Sequence, residues 1–184
     1  MSLIEKTAAE LLTLQTEGKV SAREIADAFL AARERDPRLH LALAGGGPEE
    51  DVLSERLGEH ATFLGWLAGD DLARAYASAD VFLFASRTDT FGQVLLEAQA
   101  SGLPAVAVAE GGPRELIEDG VTGTLFPAGD PAALADALDR LFANRARWDE
   151  RRDRARRFVE RDRNWSSNIS RYMPAYQRLT GKTL

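Results

Sequence analysis

Residues 80–117 read DVFLFASRTDTFGQVLLEAQASGLPAVAVAEGGPRELI. Two short apolar runs, VFLFA and AVAVA, each end at a polar or glycine-bearing loop. Each loop then leads into a stretch with helical character, QVLLEA and PRELI. Runs this short and this uniformly apolar are the pattern of strands buried on both faces, and strand–loop–helix repetition is that of βα units in a parallel sheet. This stretch sets the fold class: α/β, a Rossmann-like three-layer domain with a parallel sheet covered on both faces.

The same pattern extends outward. Upstream, LHLALAGGG (39–47) is an apolar run stopping at glycines, followed by the helix PEEDVLSERLG with Pro48 at its first position and acids in its first turn. ATFLGW (61–66) reads as a strand and DDLARAYASA (70–79) as a helix. The helix FGQVLLEAQASG ends on Gly102, and GGPRELIEDG is read as a helix ending on Gly120. Downstream, TGTLFP is a strand and DPAALADALDRLFAN a helix capped by Asp130 with Pro131 behind it.

The two ends differ from this core. TAAELLTLQT (7–16) reads as a helix and EGKVS as a turn. Ser21 with Glu24 makes a capping box for the helix AREIADAFLAARERD, whose apolar face carries Ile25, Phe29, Leu30 and Ala32. Residues 145–163 hold nine arginines and five acids, a solvated helix with mixed-sign i,i+4 pairs or a surface that leans on acidic lipid. NWSSNISRYMPAYQRL places Trp165, Ile169, Tyr172, Met173 and Tyr176 at helical spacing as a docking stripe, with Pro174 expected to kink or split the helix. The chain therefore divides into a helical hairpin (1–36) whose second helix packs on the sheet, a Rossmann-like domain (37–163) and a C-terminal helix (164–184).

Composition narrows the function classes. The net charge of -6 argues against a general nucleic-acid binder. No cysteine is present, which excludes disulfides and thiolate chemistry, and the two histidines, His40 and His60, are isolated, so no metal site is expected. No apolar stretch is long enough to span a bilayer and no leader is evident, so cytoplasm is the default, with a peripheral place at a membrane left open by the arginine-rich segment.

Placement of the glycine-rich connections points to a ligand. Gly45-Gly46-Gly47, Gly65, the SRTDTFG loop and Gly111-Gly112 all follow strands and precede helices, so all fall on one edge of the sheet, where open α/β sheets bind ligands. Helix N-termini there favour anions by about 0.3–1 kcal/mol each, which suits a diphosphate. The alternative is that these glycines only relieve turn strain. Neither a Walker loop nor a G-x-G-x-x-G fingerprint occurs. On the helix after Gly92, Gln93, Glu97 and Ser101 share one face. Glu97 either meets solvent or faces the crevice, where its two oxygens match a vicinal diol such as a ribose. Asp89 in the preceding loop can reach sugar hydroxyls, and Gly92 lets backbone approach a phosphate.

DTFGQVLLEA followed by SGLPAVAVAEGGPRELIEDGVTGTLF resembles the donor-binding half of retaining, nucleotide-sugar-dependent glycosyltransferases of family 4, one half of the two-domain GT-B fold. AGGGPEE and ATFLGWLAGDDLARAYASADVFLFAS resemble the same family, and the likeness covers roughly residues 30–180. The resemblance places the E-x7-E element on Asp89 and Glu97, with Glu97 on the ribose and Asp89, shorter by one methylene than the usual Glu, on the transferred sugar. It implies that Phe91, Gly92, Gln93 and Val94 present backbone N–H groups to the sugar and diphosphate. Gly46 and Gly47 line the phosphate side, Trp66 borders the base, and Lys19 stands for the first basic residue of the phosphate grip. It implies no cofactor or metal, the nucleotide-diphosphate sugar being the substrate, and a sugar or lipid-linked acceptor.

Two departures accompany it. TAAELLTLQTEGKVSAREIADAFL, about residues 5–30, instead resembles the N-terminal helical hairpin of amidase-signature enzymes, without their catalytic core, which suggests a fusion. The acceptor domain of the GT-B fold has no counterpart in the chain. Two functional expectations follow: a donor domain that binds but does not transfer alone, and a non-catalytic or engineered module that self-associates as a homodimer.

Overall fold

A computed structural model describes residues 22–86 and 91–181. The proposed first helix and turn, the Ser21 cap, Lys19 and Asp89 lie outside the described residues.

The described chain runs α1 (Ala22–Arg35), β1 (Leu41–Ala44), α2 (Glu50–Leu57), β2 (Ala61–Gly65), α3 (Gly69–Ser78), β3 (Phe82–Phe84), α4 (Gln93–Ala100), β4 (Ala105–Val108), α5 (Gly111–Leu116), β5 (Gly123–Phe126), α6 (Pro131–Ala143), α7 (Trp148–Asp162) and α8 (Trp165–Thr180). The predicted βα alternation is present throughout.

The strands form two parallel sheets, β1–β2 and β3–β4–β5. Leu41, Ala42 and Leu43 pair with Ala61, Thr62 and Phe63, and Ala105–Val108 pair with Gly123–Phe126. Among the described residues no strand joins β1 to β3, so the strands described form two parallel sheets where the sequence suggests one.

Covering differs between the two. The three-stranded sheet is enclosed on both faces. On one side Val106, Val108 and Phe126 pack with Leu134, Leu138 and Leu141 of α6 and with Trp148. On the other, Ala105 and Ala107 pack with Leu95, Leu96, Leu116 and Ile117, with Phe158 and Val159 of α7 alongside. The β1–β2 pair buries Leu41, Leu43, Ala61 and Phe63 against Phe29, Leu53 and Leu57 of α1 and α2, while Ala42, Ala44, Thr62 and Leu64 on its other face are exposed. Among the described residues, helices cover both faces of the three-stranded sheet and one face of this pair. Helix α1 carries the expected face of Ile25, Phe29 and Ala32 and serves both clusters, Ala28 and Ala32 on one side and Ala26 and Phe29 on the other.

Three local expectations are corrected. Helix α2 begins at Glu50 after a turn holding Pro48, not at Pro48, with Glu49 at its N-cap. Helix α5 ends at Leu116 rather than Gly120. Ile117 is extended (φ −116°, ψ 121°) and buried, and Asp119 Oδ1 accepts the Leu125 N–H at 2.8 Å, so core packing and a side-chain bond stop the helix early. Helix α8 runs through Pro174 unbroken. The expected Asp130 cap is present, its carboxylate accepting the Ala133 N–H at 2.9 Å.

The mixed-charge reading of α7 holds on its outer face, where Arg154–Glu150, Arg156–Glu160 and Arg157–Asp153 pair at i,i+4. Its inner face buries Trp148, Arg151 and Ala155. Among the described residues no helix is long and apolar enough to cross a membrane.

Candidate functional site

The site grows from the start of α4. Gly92 is the N-cap, in the left-handed region at φ 69°, and a Cβ there would overlap Leu116 Cδ1 of α5. Glycine at this position therefore satisfies both a strained turn and the close approach of two helices. From it α4 turns Leu95, Leu96, Ala98 and Gln99 into the core, leaves Gln93 exposed, and holds Val94 and Glu97 half-buried. Buried Gln99 donates from Nε2 to Leu116 O at 3.0 Å, a second tie between α4 and α5.

One face of α4, Gln93, Glu97 and Ala100, lines an open cavity of about 680 Å³. Phe91 stands at its rim, Gly112 and Glu115 of α5 form a second wall, and Arg163 with Trp165, Arg171 and Tyr172 of α8 form the third. Glu97, half-buried, is among the residues that line this open cavity.

The cavity carries both charge signs. Glu97 and Glu115 stand among its carboxylates, Arg163 and Arg171 among its cations. Arg163 donates from Nη2 to Glu115 O at 3.2 Å and lies over the Phe158 ring at 5.3 Å. Its Nε is buried with no hydrogen-bond partner in the structure. Arg171 reaches Asp162 O at 3.5 Å. The Asp162 carboxyl is held below its ordinary range, chiefly by the hydrogen bond from Arg161, with Arg171 and Arg163 adding to the effect.

Behind Glu97 stands Tyr76 of α3, whose hydroxyl donates to Glu97 Oε2 at 3.2 Å. Burial first, then the nearby carboxylate, pushes the Tyr76 hydroxyl up to about 12. Tyr76 does not line the cavity.

Of the residues singled out from sequence, Phe91, Gln93 and Glu97 come together at this cavity, with Gly92 and Val94 in the same first turn. Gly46, Gly47 and Trp66 do not line it. They sit at the carboxyl ends of β1 and β2, where the Gly45 N–H donates to Gly65 O at 2.7 Å. A Cβ on Gly46 would stand 3.2 Å from Trp66 Nε1 and from Glu50 Oε2, and Trp66 itself is 85% exposed. Among the described residues no group of three or more His, Asp or Glu could hold a metal ion. Sequence reasoning missed Tyr76, which lies on a different helix from Glu97. It also missed Arg163, which was counted among the solvated arginines, and Arg171 of the last helix, which was not singled out. Trp165 and Tyr172, read as a docking stripe, line the cavity as well.

Comparison with known proteins gives one family and consistent neighbours. The family model described as "Glycosyl transferases group 1" matches residues 16–144. The chain is 37% identical over 132 residues to the sulfoquinovosyl transferase SQD2 of Arabidopsis thaliana, covering 70% of this chain and 26% of that protein. It is 38% identical over 157 residues to a phosphatidyl-myo-inositol mannosyltransferase of Mycobacterium leprae, covering 82% of this chain and 41% of that protein. Among solved structures, the pneumococcal O-GlcNAc transferase GtfA in complex with UDP and GlcNAc aligns at TM-score 0.70 and 25% identity, over 78% of this chain and 30% of that one. The chain thus spans well under half the length of the curated relatives it matches. The resemblance of residues 5–30 to an amidase-signature hairpin draws no support from these matches, and the family match already begins at residue 16.

Proposed function

This chain belongs to the glycosyl transferases group 1 family, with the α/β fold of one half of a GT-B enzyme, and on that premise we propose that it is the donor-binding half of a retaining transferase. In this reading it takes a nucleotide-diphosphate sugar as substrate and needs no cofactor. The observation that carries the proposal is Glu97, turned into a cavity of about 680 Å³ beside the first turn of α4.

The chemistry divides along α4. Glu97 accepts hydrogen bonds from both hydroxyls of a ribose, a task that suits a charged acceptor with two oxygens. The backbone of Phe91, Gly92, Gln93 and Val94 faces the sugar and diphosphate, and the helix N-terminus favours their negative charge. Asp89 contacts the transferred sugar, and Lys19 the phosphates. Gly46 and Gly47 border the phosphate side and Trp66 the base. In transfer, the bond from the anomeric carbon to the diphosphate oxygen breaks and one to the acceptor oxygen forms on the same face. The acceptor proton leaves to the departing diphosphate. Donors fixed in advance around that diphosphate stabilise the charge it gains.

A sugar or lipid-linked acceptor is supported by the names of the relatives, one a phosphatidyl-myo-inositol mannosyltransferase. Its site is assigned to a partner domain outside this chain, so the chain alone binds donor with little or no transfer. A second reading, self-association, is favoured by the exposed stripe of Trp165, Ile169, Tyr172, Tyr176 and Leu179 along α8.

Calorimetric titration with UDP, GDP and their sugars tests the first reading. One nucleotide is expected to bind, and Glu97→Ala to weaken it about 10–100-fold, the scale of hydrogen bonds to a charged group. No binding by any nucleotide, or binding indifferent to Glu97→Ala, rejects it. Sedimentation tests the second: a dimer with flat nucleotide titrations favours it over the first.

A further inference from the structure

Helix α3 is loosely seated: none of its residues is buried, and Leu72, Ala75 and Tyr76 are half-buried along one face. Yet Tyr76 is fixed at both ends. Its ring packs at 5.8 Å on Phe82, which in turn stacks at 6.1 Å on Phe84, so the aromatic side chains of β3 hold it in place. Its hydroxyl donates to Glu97 Oε2 at 3.2 Å. Glu97 lines the cavity and Tyr76 does not, so the bond reaches the carboxylate from behind.

A glutamate on a helix surface has three side-chain torsions to settle before it can meet two hydroxyls at once, and each rotamer held in advance is entropy not lost on binding. A donor on one oxygen narrows the set of orientations open to the carboxylate. Each carboxylate oxygen accepts more than one hydrogen bond, so the bond from Tyr76 does not use up the capacity of Glu97 to accept from two hydroxyls. We propose that Tyr76 is a positioning residue for diol recognition, setting the Glu97 carboxylate in the orientation that accepts both ribose hydroxyls. The inference rests on the donor-binding reading of Glu97. The raised titration of Tyr76 agrees with it, because the hydroxyl keeps its proton, and so remains a donor, throughout the neutral and moderately alkaline range.

The alternative is a plain tie between two helices. Such a tie would stabilise α3 with no preference for what fills the cavity. A positioning role is selective for the diol.

The experiment compares wild type, Tyr76→Phe, Glu97→Ala and the double variant in calorimetric titrations with UDP and GDP, each against its 2′,3′-dideoxy analogue. Melting temperatures are recorded alongside. Tyr76→Phe keeps the ring against Phe82 and removes one oxygen. It is expected to weaken the ribonucleotide about three- to tenfold and leave the dideoxy analogue unchanged, with no added loss on the Glu97→Ala background. Equal weakening of both nucleotides together with a lowered melting temperature overturns the positioning role, and so does an unchanged ribonucleotide affinity. If wild type fails to distinguish ribo- from dideoxynucleotide and Glu97→Ala changes nothing, the donor-binding reading falls and this inference with it. A loss on Glu97→Ala with none on Tyr76→Phe removes this inference alone.

Discussion

The two sheets are built from nearly the same material and end in different states. LALA of β1 and AVAV of β4 are both short, apolar and parallel-paired. All four residues of β4 are buried, whereas β1 alternates between half-buried and exposed. What separates them is helix cover. The long helices α6 and α7 lie on opposite faces of β3–β4–β5, and among the described residues α1 and α2 alone lie against β1–β2. Apolar burial contributes roughly 25 cal/mol per Å², so the three-stranded sheet, closed on both faces, gains more from it than the two-stranded one, which leans on α1 and α2. Ion pairs fasten α1 on both sides, Arg35 with Asp136 and Asp139 of α6, and Arg56 of α2 with Asp27. All are exposed, and such pairs contribute little.

That contrast can be broken most sharply with glycines. A Cβ on Gly123 of β5 would overlap the Ala105 carbonyl and stand 3.1 Å from Ile117 Cγ2. Gly123→Val is therefore expected to cost about 3 kcal/mol or more in urea unfolding. Gly47→Ala, after β1, meets nothing within 4 Å and is not at positive φ, so it should stay within about 0.5 kcal/mol of wild type. Similar costs for the two would show that the sheets are equally packed. Phenylalanine truncation comes next. Phe126→Ala, 2% exposed, should lose about 3–5 kcal/mol, and Phe63→Ala, half-buried on β2, roughly half of that.

Smaller effects sharpen the comparison at the loops. Gly92→Ala should cost about 2 kcal/mol, from the left-handed backbone and the displaced Leu116, and should also weaken nucleotide binding. Gly65→Ala, at φ 64° with open space around it, should cost about 1 kcal/mol and spare binding at the cavity. The smallest effect lies in the connection from α1 to β1. There the Asp36 carboxyl is lowered to about 2, chiefly by the Arg38 guanidinium hydrogen bond and then by the Arg38 backbone N–H. Because the folded value is depressed, this pair supports the fold above the ordinary carboxylate range and its contribution fades as pH falls from about 4 toward about 2. NMR titration should show Asp36 moving up toward its usual value in Arg38→Ala, with the melting temperature at neutral pH barely changed.

Much of this was legible in the sequence because the signals are local. Uniform apolar runs gave the strands, Asp130-Pro131 the start of α6, and helical spacing the shared face of Gln93 and Glu97 on α4. What stayed hidden depends on distant partners. The division into two sheets leaves no mark in LALA or FLF, since pairing is settled by what lies beside a strand. Helix α5 stops at Leu116 because Ile117 enters the core, and only the packed structure knows that. Tyr76 reads as one residue of an ordinary amphipathic turn until the fold brings it to Glu97. Arg163 carries no periodic signature that sets it apart from the arginines around it, and Arg171 lies in a helix whose legible signal is apolar.

Strand β4 is hydrogen-bonded along both edges, to β3 and to β5, and buried along its whole length. Its amide protons can therefore meet solvent only when the domain opens as a whole. In deuterium exchange, Ala105–Val108 should be the last amides to surrender their protons, and their rate would read out the free energy of global unfolding directly. The amides of β1 and β2 should exchange earlier, through partial openings. Four residues in the middle of the chain thus serve as an internal clock for the whole fold.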